Sequence, residues 1–175
     1  MNLIKVSIYK HLDIYFPVEV PKEVLDAAER AGIDVIDLIL NQLYLRDPSE
    51  GIRLRITLAE KMLNETKEYL AKGDLTQASE KAYKAAEEAV KALAEEFNLP
   101  EYQQAMKEGR WYIYNLFNAV SKLSIRLGDW VRVGWNSAYA LHAWGFHEGK
   151  LDVNSVSQMI EDVEKMIVEV KKALK

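Results

Sequence analysis

Residues 129–148 read DWVRVGWNSAYALHAWGFHE. They hold three of the four tryptophans and two of the three histidines, and between the end residues the only formal charge is Arg132. A helix-length segment with apolar or small residues on every side has no face to give to water, so it is expected to run through the middle of a helical domain. Gly134, Ala138, Leu141 and Gly145 follow the three- and four-residue spacing of one helical face. A glycine inside a helix costs about 1 kcal/mol relative to alanine, and its presence here implies that another backbone comes close.

The segments on either side carry the same periodicity. Arg110 opens a helix with Ile113, Leu116, Phe117, Val120, Leu123 and Leu127 at core spacing, and Gly128 and Asp129 hand over to the tryptophan-rich stretch. Beyond Gly149, Asp152 or Asn154 caps a last helix with Val156, Ile160, Val163, Ile167, Val170 and Leu174 inward. Upstream, a helix from about Glu50 to Lys72 lines up Ile52, Ile56, Ala59, Leu63, Thr66 and Leu70, and Gly73 ends it. Asp74 with Gln77 then forms a capping pair. The run TQASEKAYKAAEEAVKALAEEF that follows carries Ala78, Ala82, Ala85, Ala89 and Ala92 on an inner stripe, small enough for close helix packing. Asn98, Leu99 and Pro100 break it, and a short turn leads to Gly109. Short links between long helices favour antiparallel neighbours, so residues 49–175 are expected to form an up-and-down bundle of four long helices or five.

Residues 1–48 read differently. Leu3 to Tyr9 alternate, with Ile4, Val6 and Ile8 on one face, and Ile14 to Val20 form a second extended piece that Pro17 confines to an edge. Lys22 to Ala31 read as a short helix stopped by Gly32, and Asp34 caps Val35 to Leu45. From Ile14 to Leu45 this resembles a shortened ribbon-helix-helix unit, a fold whose strands pair between two chains and enter the DNA major groove. Five basic groups against eight acidic ones leave residues 1–48 at −3. A segment that repels phosphate is a poor DNA reader, so DNA binding is disfavoured and the segment is read as a docking or pairing appendage.

With 175 residues the chain is expected to bury roughly 70% of its unfolded surface without staples. No cysteine is present, which removes disulfides, thiolate metal sites and thiol catalysis and suits a reducing cytoplasm. No apolar run approaches the roughly 20 residues that span a bilayer, and no secretory signal pattern opens the chain. The expectation is a cytoplasmic protein without a membrane partner. A net charge of −4 argues against a nucleic-acid coat and permits a local basic patch.

The phrases GDLTQASEKAYKAAEEAVKALAEEFNLP, EGRW at Glu108–Trp111, and GDWVRVGWNSAYALHAWGFHEGKLDV resemble the PaREP family of archaeal helical proteins over residues 55–170. That family is grouped with the HEPN superfamily of small helical bundles, which usually dimerise and include nucleotidyltransferase partners, RNA-binding modules and toxin ribonucleases. The resemblance implies a HEPN-like bundle, and a homodimer. Active HEPN ribonucleases use an arginine followed after four to six residues by a histidine. Here nine residues separate Arg132 from His142, about 15 Å of helix rise between the two, so the motif is missing as written. A divergent, metal-independent ribonuclease would use Arg132 with His142 and His147.

Among the remaining candidates, His142 and His147 lie five residues apart, roughly 140° around an α-helix, which does not make a zinc pair. Each is expected to hydrogen-bond in or beside the core, or, for His147 with Glu148, to line a pocket at one end of the bundle. Arg110, placed in the first turn of its helix where the dipole disfavours a cation, needs a partner. Glu108, Glu87 or Glu88 would supply a salt bridge, and a phosphate of nucleotide or RNA is the functional alternative. Trp111 beside it is read as a core anchor or a base-stacking platform. Lys84, Glu87, Glu88 and Lys91 sit at the spacing of ordinary helix-surface pairs. No metal or cofactor motif is present. The reading is a mostly α, antiparallel HEPN-like bundle with a small strand and two-helix appendage, acting as a non-catalytic binding module for a partner protein, a nucleotide or RNA.

Overall fold

A computed structural model describes the backbone of residues 3–9 and 15–174 and the side chains of residues 20–174. Two strands, β1 (Leu3–Tyr9) and β2 (Tyr15–Pro21), pair antiparallel from Leu3↔Pro21 to Tyr9↔Tyr15. Ile14, where the sequence reading starts the second strand, lies outside the described residues. Both strands edge this two-stranded sheet, which is why Pro17 is tolerated within it. The partner of β2 is therefore β1 of the same chain, a difference from the two-chain ribbon.

Two short helices follow, α1 (Lys22–Arg30) and α2 (Val35–Arg46), and then α3 (Pro48–Ala71), α4 (Leu75–Glu96), α5 (Pro100–Glu108) and α6 (Ile113–Leu127). The tryptophan-rich stretch forms α7 (Trp130–Ala140), continued without a break by a π-helical segment, Leu141–His147, and α8 (Val153–Ala173) closes the chain. Four aspartates start helices by accepting backbone N–H groups. Asp34 takes those of Ile36 and Asp37, Asp47 that of Glu50, Asp74 that of Gln77, and Asp152 that of Ser155. Each such cap contributes about 1 kcal/mol.

The chain is an antiparallel helical bundle, as the periodicity implies, and its axis is α4. From Ala78 to Glu95 most α4 residues are buried, and α3, α5, α6, α7, the π segment and α8 all pack on it. Alanines make this possible, because Ala82, Ala85, Ala86 and Ala89, all fully buried, let neighbours approach from every side. Ala59 and Leu63 come in from α3, Leu116, Val120 and Leu123 from α6, and Val156, Ile160, Val163 and Ile167 from α8.

The expectation that residues 129–148 run through the middle is corrected. Val131, Gly134, Trp135, Ala138, Leu141 and Gly145 form one buried stripe, whereas Val133, Tyr139 and Trp144 face outward, Trp144 at 53% exposure. Apolar character on every side thus reflects two different surfaces, one filled by this chain's own core. The two glycines do sit at close approaches. A Cβ on Gly134 would lie 2.5 Å from the Met166 Cβ of α8, and one on Gly145 would collide with Ser79 of α4. The neighbours there are side chains. Backbone contact of the expected kind occurs at Gly51, where a Cβ would come 2.7 Å from the Tyr44 Cα, so glycine lets α2 lie on α3.

Two further expectations change. The turn between Pro100 and Gly109 is the helix α5, started by Pro100 in its first turn. Helix α6 begins at Ile113 and not at Arg110, because Asn115 turns its side chain back to accept the Tyr112 backbone N–H. No described helix is long and apolar enough to cross a membrane.

Candidate functional site

The segment Leu141–His147 carries the histidines. A π-helix closes its hydrogen bonds over five residues instead of four, so side chains five apart come onto one face. His142 and His147, which an α-helix would hold far apart around its axis, are neighbours: their Nε2 atoms lie 3.1 Å apart and their rings meet edge-on at 4.4 Å. The reading of these residues as pointing to different sides is corrected on that ground.

Helix α4 supplies the other wall. Glu80 Oε2 lies 2.8 Å from His142 Nδ1, and the Tyr83 ring stacks on the imidazole at 4.2 Å. A carboxylate facing Nδ1 demands a proton there, which leaves Nε2 of the neutral ring to accept from His147 Nε2–H. His142 is thus pinned from both sides, half-buried, while His147 stands exposed. Burial, followed by the nearby Glu87 carboxylate, pushes the Tyr83 hydroxyl well above the usual phenol range. The tyrosine therefore stays neutral.

One turn along, Lys84 Nζ donates to Glu87 Oε2 at 3.0 Å, and the ammonium also lies 5.5 Å from the Tyr83 ring centre. Burial lowers the affinity of Lys84 for its proton, and Glu87 more than restores it, so the amine is held above its ordinary value. Glu87 also pairs with Lys91 at 3.0 Å. Desolvation opposes its charge, but Lys91 and Lys84 together keep its carboxyl below the usual range.

Beyond Glu87 the polar row on α4 goes under the surface. Arg55 of α3, fully buried, donates through Nη1 to Asp37 Oδ1 and Glu88 Oε2, both at 2.7 Å, through Nε to Glu95 Oε1 at 2.6 Å, and through Nη2 to Asn41 Oδ1 at 3.1 Å. Lys91 Nζ reaches Asp37 Oδ2 at 2.7 Å and Glu88 Oε1 at 3.1 Å. Burial works against all these charges, and mutual attraction decides which persist. It holds Arg55 and Lys91 above their ordinary values and Asp37 below its own. Glu95 falls on the other side: burial outweighs Arg55 and pushes its carboxyl up to about 7.

This network corrects the reading of Lys84, Glu87, Glu88 and Lys91 as ordinary surface pairs, because Lys91 and Glu88 are buried. Sequence reasoning also passed over Glu80, Tyr83, Asp37 and Arg55. A signal existed for Arg55, which falls three residues after Ile52 and four before Ala59 on the apolar stripe of α3. For Glu80 there was none, since its partner is 62 residues away.

The other candidates are placed elsewhere. Arg110 precedes α6, so the dipole argument for it does not apply. Among the described residues no carboxylate pairs with it. Its guanidinium lies 4.1 Å over the Tyr112 ring and packs against Gly32, in the turn between α1 and α2. Trp111 packs against the core, and its indole N–H has no partner among the described residues. Arg132 bonds Asp129 at 2.9 Å on the surface, away from His142. Glu148 bonds Lys150 at 2.8 Å and does not join the histidines. A groove of about 310 Å³ between α3 and α8, lined by Ile56, Glu60 and Lys171 among others, contains none of these candidates.

This chain resembles solved structures of a related protein. A crystal structure of a protein from Sulfolobus solfataricus is 44% identical, with a TM-score of 0.62, and the match covers 67% of this chain and 96% of that one. A solution structure of the same target is also 44% identical, with a TM-score of 0.59, covering 66% of this chain and 90% of that one. No curated protein matches. The model of the archaeal PaREP1/PaREP8 family matches residues 54–167, from the first turns of α3 through most of α8. The chain belongs to the archaeal PaREP1/PaREP8 family.

Proposed function

We propose that this protein is a non-catalytic, HEPN-like binding module that works as a homodimer, with residues 1–48 as a docking appendage and residues 49–175 as the binding bundle. The observation that carries the reading is the outer side of α6, α7 and the π segment. Ile113, Tyr114, Phe117, Val133, Tyr139 and Trp144 are each at least 38% exposed, and Phe117 and Tyr139 pack edge-on at 5.0 Å. Large apolar side chains concentrated on the outside of a helical bundle mark a surface that another molecule covers. The second copy is the proposed occupant. Glu80 and Lys84 of α4 together with His142 and His147 of the π segment add hydrogen-bonding and cationic groups, suited to a nucleotide or to RNA.

Light scattering tests the first half, with twice the chain mass expected and a monomer at micromolar concentration the contrary result. For the second half, anisotropy of a labelled single-stranded RNA is expected to rise with the protein and to fall back with Lys84→Ala, the RNA staying intact.

One observation favours a second reading, a metal-independent ribonuclease. Two imidazoles stand together on one face, and histidine is the side chain that serves most often as acid and base in proton transfer. Against it, Arg132 is held by Asp129 and not delivered to the histidines. Incubating a mixed RNA pool with wild type, His142→Ala and His147→Ala separates the two, and histidine-dependent cleavage would defeat the binding-module reading.

A further inference from the structure

The histidine pair brings two imidazole nitrogens within 3.1 Å of each other at the protein surface. We infer that His142 and His147 chelate a divalent late transition-metal ion through their Nε2 atoms, with Glu80 orienting His142 from behind. This goes beyond the binding-module reading and does not rest on it.

Three features support the inference. First, a zinc ion bound tetrahedrally at 2.0–2.1 Å holds two imidazole nitrogens about 3.3 Å apart. The two Nε2 atoms are 3.1 Å apart already, so their spacing is within a few tenths of an ångström of what an ion needs, and the exposed His147 ring, released from its bond to His142, turns to aim its nitrogen at the ion. Second, histidines that bind metals almost always give their other N–H to a carboxylate or carbonyl, which fixes the tautomer and strengthens the donor nitrogen. Glu80 at 2.8 Å from His142 Nδ1 occupies that position, and Tyr83 stacked at 4.2 Å fixes the ring plane. Third, the pairing depends on the π-helical turn, a local departure from α geometry that is found most often at functional sites. It brings together two ring nitrogens that ordinary helix spacing keeps apart.

The ion would reach the site from solvent through exposed His147. Among the described residues no group of three or more histidine, aspartate or glutamate side chains is placed to enclose an ion. The remaining coordination positions are therefore open, to be filled by water or by an oxygen of a bound molecule. An imidazole pair without thiolate suits zinc, nickel or copper, and not the all-oxygen preference of calcium or magnesium.

The test is calorimetric titration of the full chain, stripped with a chelator, with zinc chloride and separately with nickel chloride. One ion per chain is expected. His147→Ala, a change at an exposed position that leaves the core untouched, is expected to abolish binding. Glu80→Gln is expected to weaken it by about 10- to 100-fold, with the circular dichroism of both variants unchanged. No saturable binding by wild type, or binding that survives His147→Ala, would overturn the inference. Both readouts are independent of RNA and of dimer formation, so failure here leaves the proposed function standing, and the reverse.

Discussion

Glu95 shows how a single buried residue couples this fold to pH. Its carboxyl is 1% exposed, Arg55 meets only one of its oxygens, and the other has no partner among the described residues. Arg55 is already shared with Asp37 and Glu88, so one carboxyl of the group keeps its proton into the neutral range. With the folded value raised from 4.5 to about 7, the native state binds the proton more tightly than the unfolded chain does. The stabilisation is complete below pH 4.5 and is lost as pH rises through 7. Asp37 and Glu87 work the other way: their lowered values contribute stability above the ordinary carboxylate range that is lost in acid. Stability is therefore expected to peak near pH 5 and to fall by about 3 kcal/mol toward pH 8, from a shift of that size. Urea unfolding at several pH values measures this, and Glu95→Gln should flatten the decline. Parallel pH profiles for wild type and Glu95→Gln would contradict the assignment. A second expectation belongs to Gly51, whose hydrogen faces the Tyr44 backbone. Backbone cannot swing aside as a side chain can, so Gly51→Ala is expected to cost about 1–3 kcal/mol, read as a lower denaturation midpoint.

Among the elements, α2 owes its place to charge as much as to apolar contact. Asp37 and Asn41 are its buried polar residues, and Asp37 faces both Arg55 and Lys91. Removing one partner of a buried ion pair leaves the other uncompensated and costs about 3–5 kcal/mol. Asp37→Ala is thus expected to destabilise strongly and to release α2, seen as a jump in hydrogen exchange across Val35–Arg46 while α8 stays protected. Equal exchange in α2 before and after the change would show that apolar packing alone holds it. The start of α6 offers a smaller test. Asn115 is fully buried, accepts the Tyr112 N–H at 3.0 Å and donates to Gln104 on α5 at 3.1 Å. Asn115→Ala removes the bond that places the helix start after Arg110, at a cost of about 1–3 kcal/mol in thermal or chemical unfolding.

For the whole molecule the informative surface is the one left uncovered. On the proposed homodimer, glutamate at both Phe117 and Tyr139 is expected to give a monomer of unchanged helicity, since both residues are more than a third exposed and touch each other across α6 and α7. Light scattering with circular dichroism checks both halves of that statement, and a dimer that persists would place the interface elsewhere. Helix order, most caps and the alanine stripe of α4 were readable along the chain, because capping and helical periodicity are local physics. Helix α5 was missed, since Asn98 to Gly109 offers two breakers and little apolar periodicity between them. Periodicity reads the tryptophan-rich stretch as buried all round, because an apolar residue facing outward and one facing the core look alike in sequence.

The amino-acid order sufficed for the helical bundle, for where most of its helices start and stop, and for the family to which it belongs. The site was decided in three dimensions. The π-helical turn at Leu141–His147 has no residue signature, and it alone turns His142 and His147 toward each other. Glu80 meets His142 across 62 residues, and Arg55 gathers partners 14 to 40 residues away. Those distances close only when α3 and the π segment pack on α4 and α2 lies on α3, and spacing along one helix cannot report which side chain of another will be waiting there.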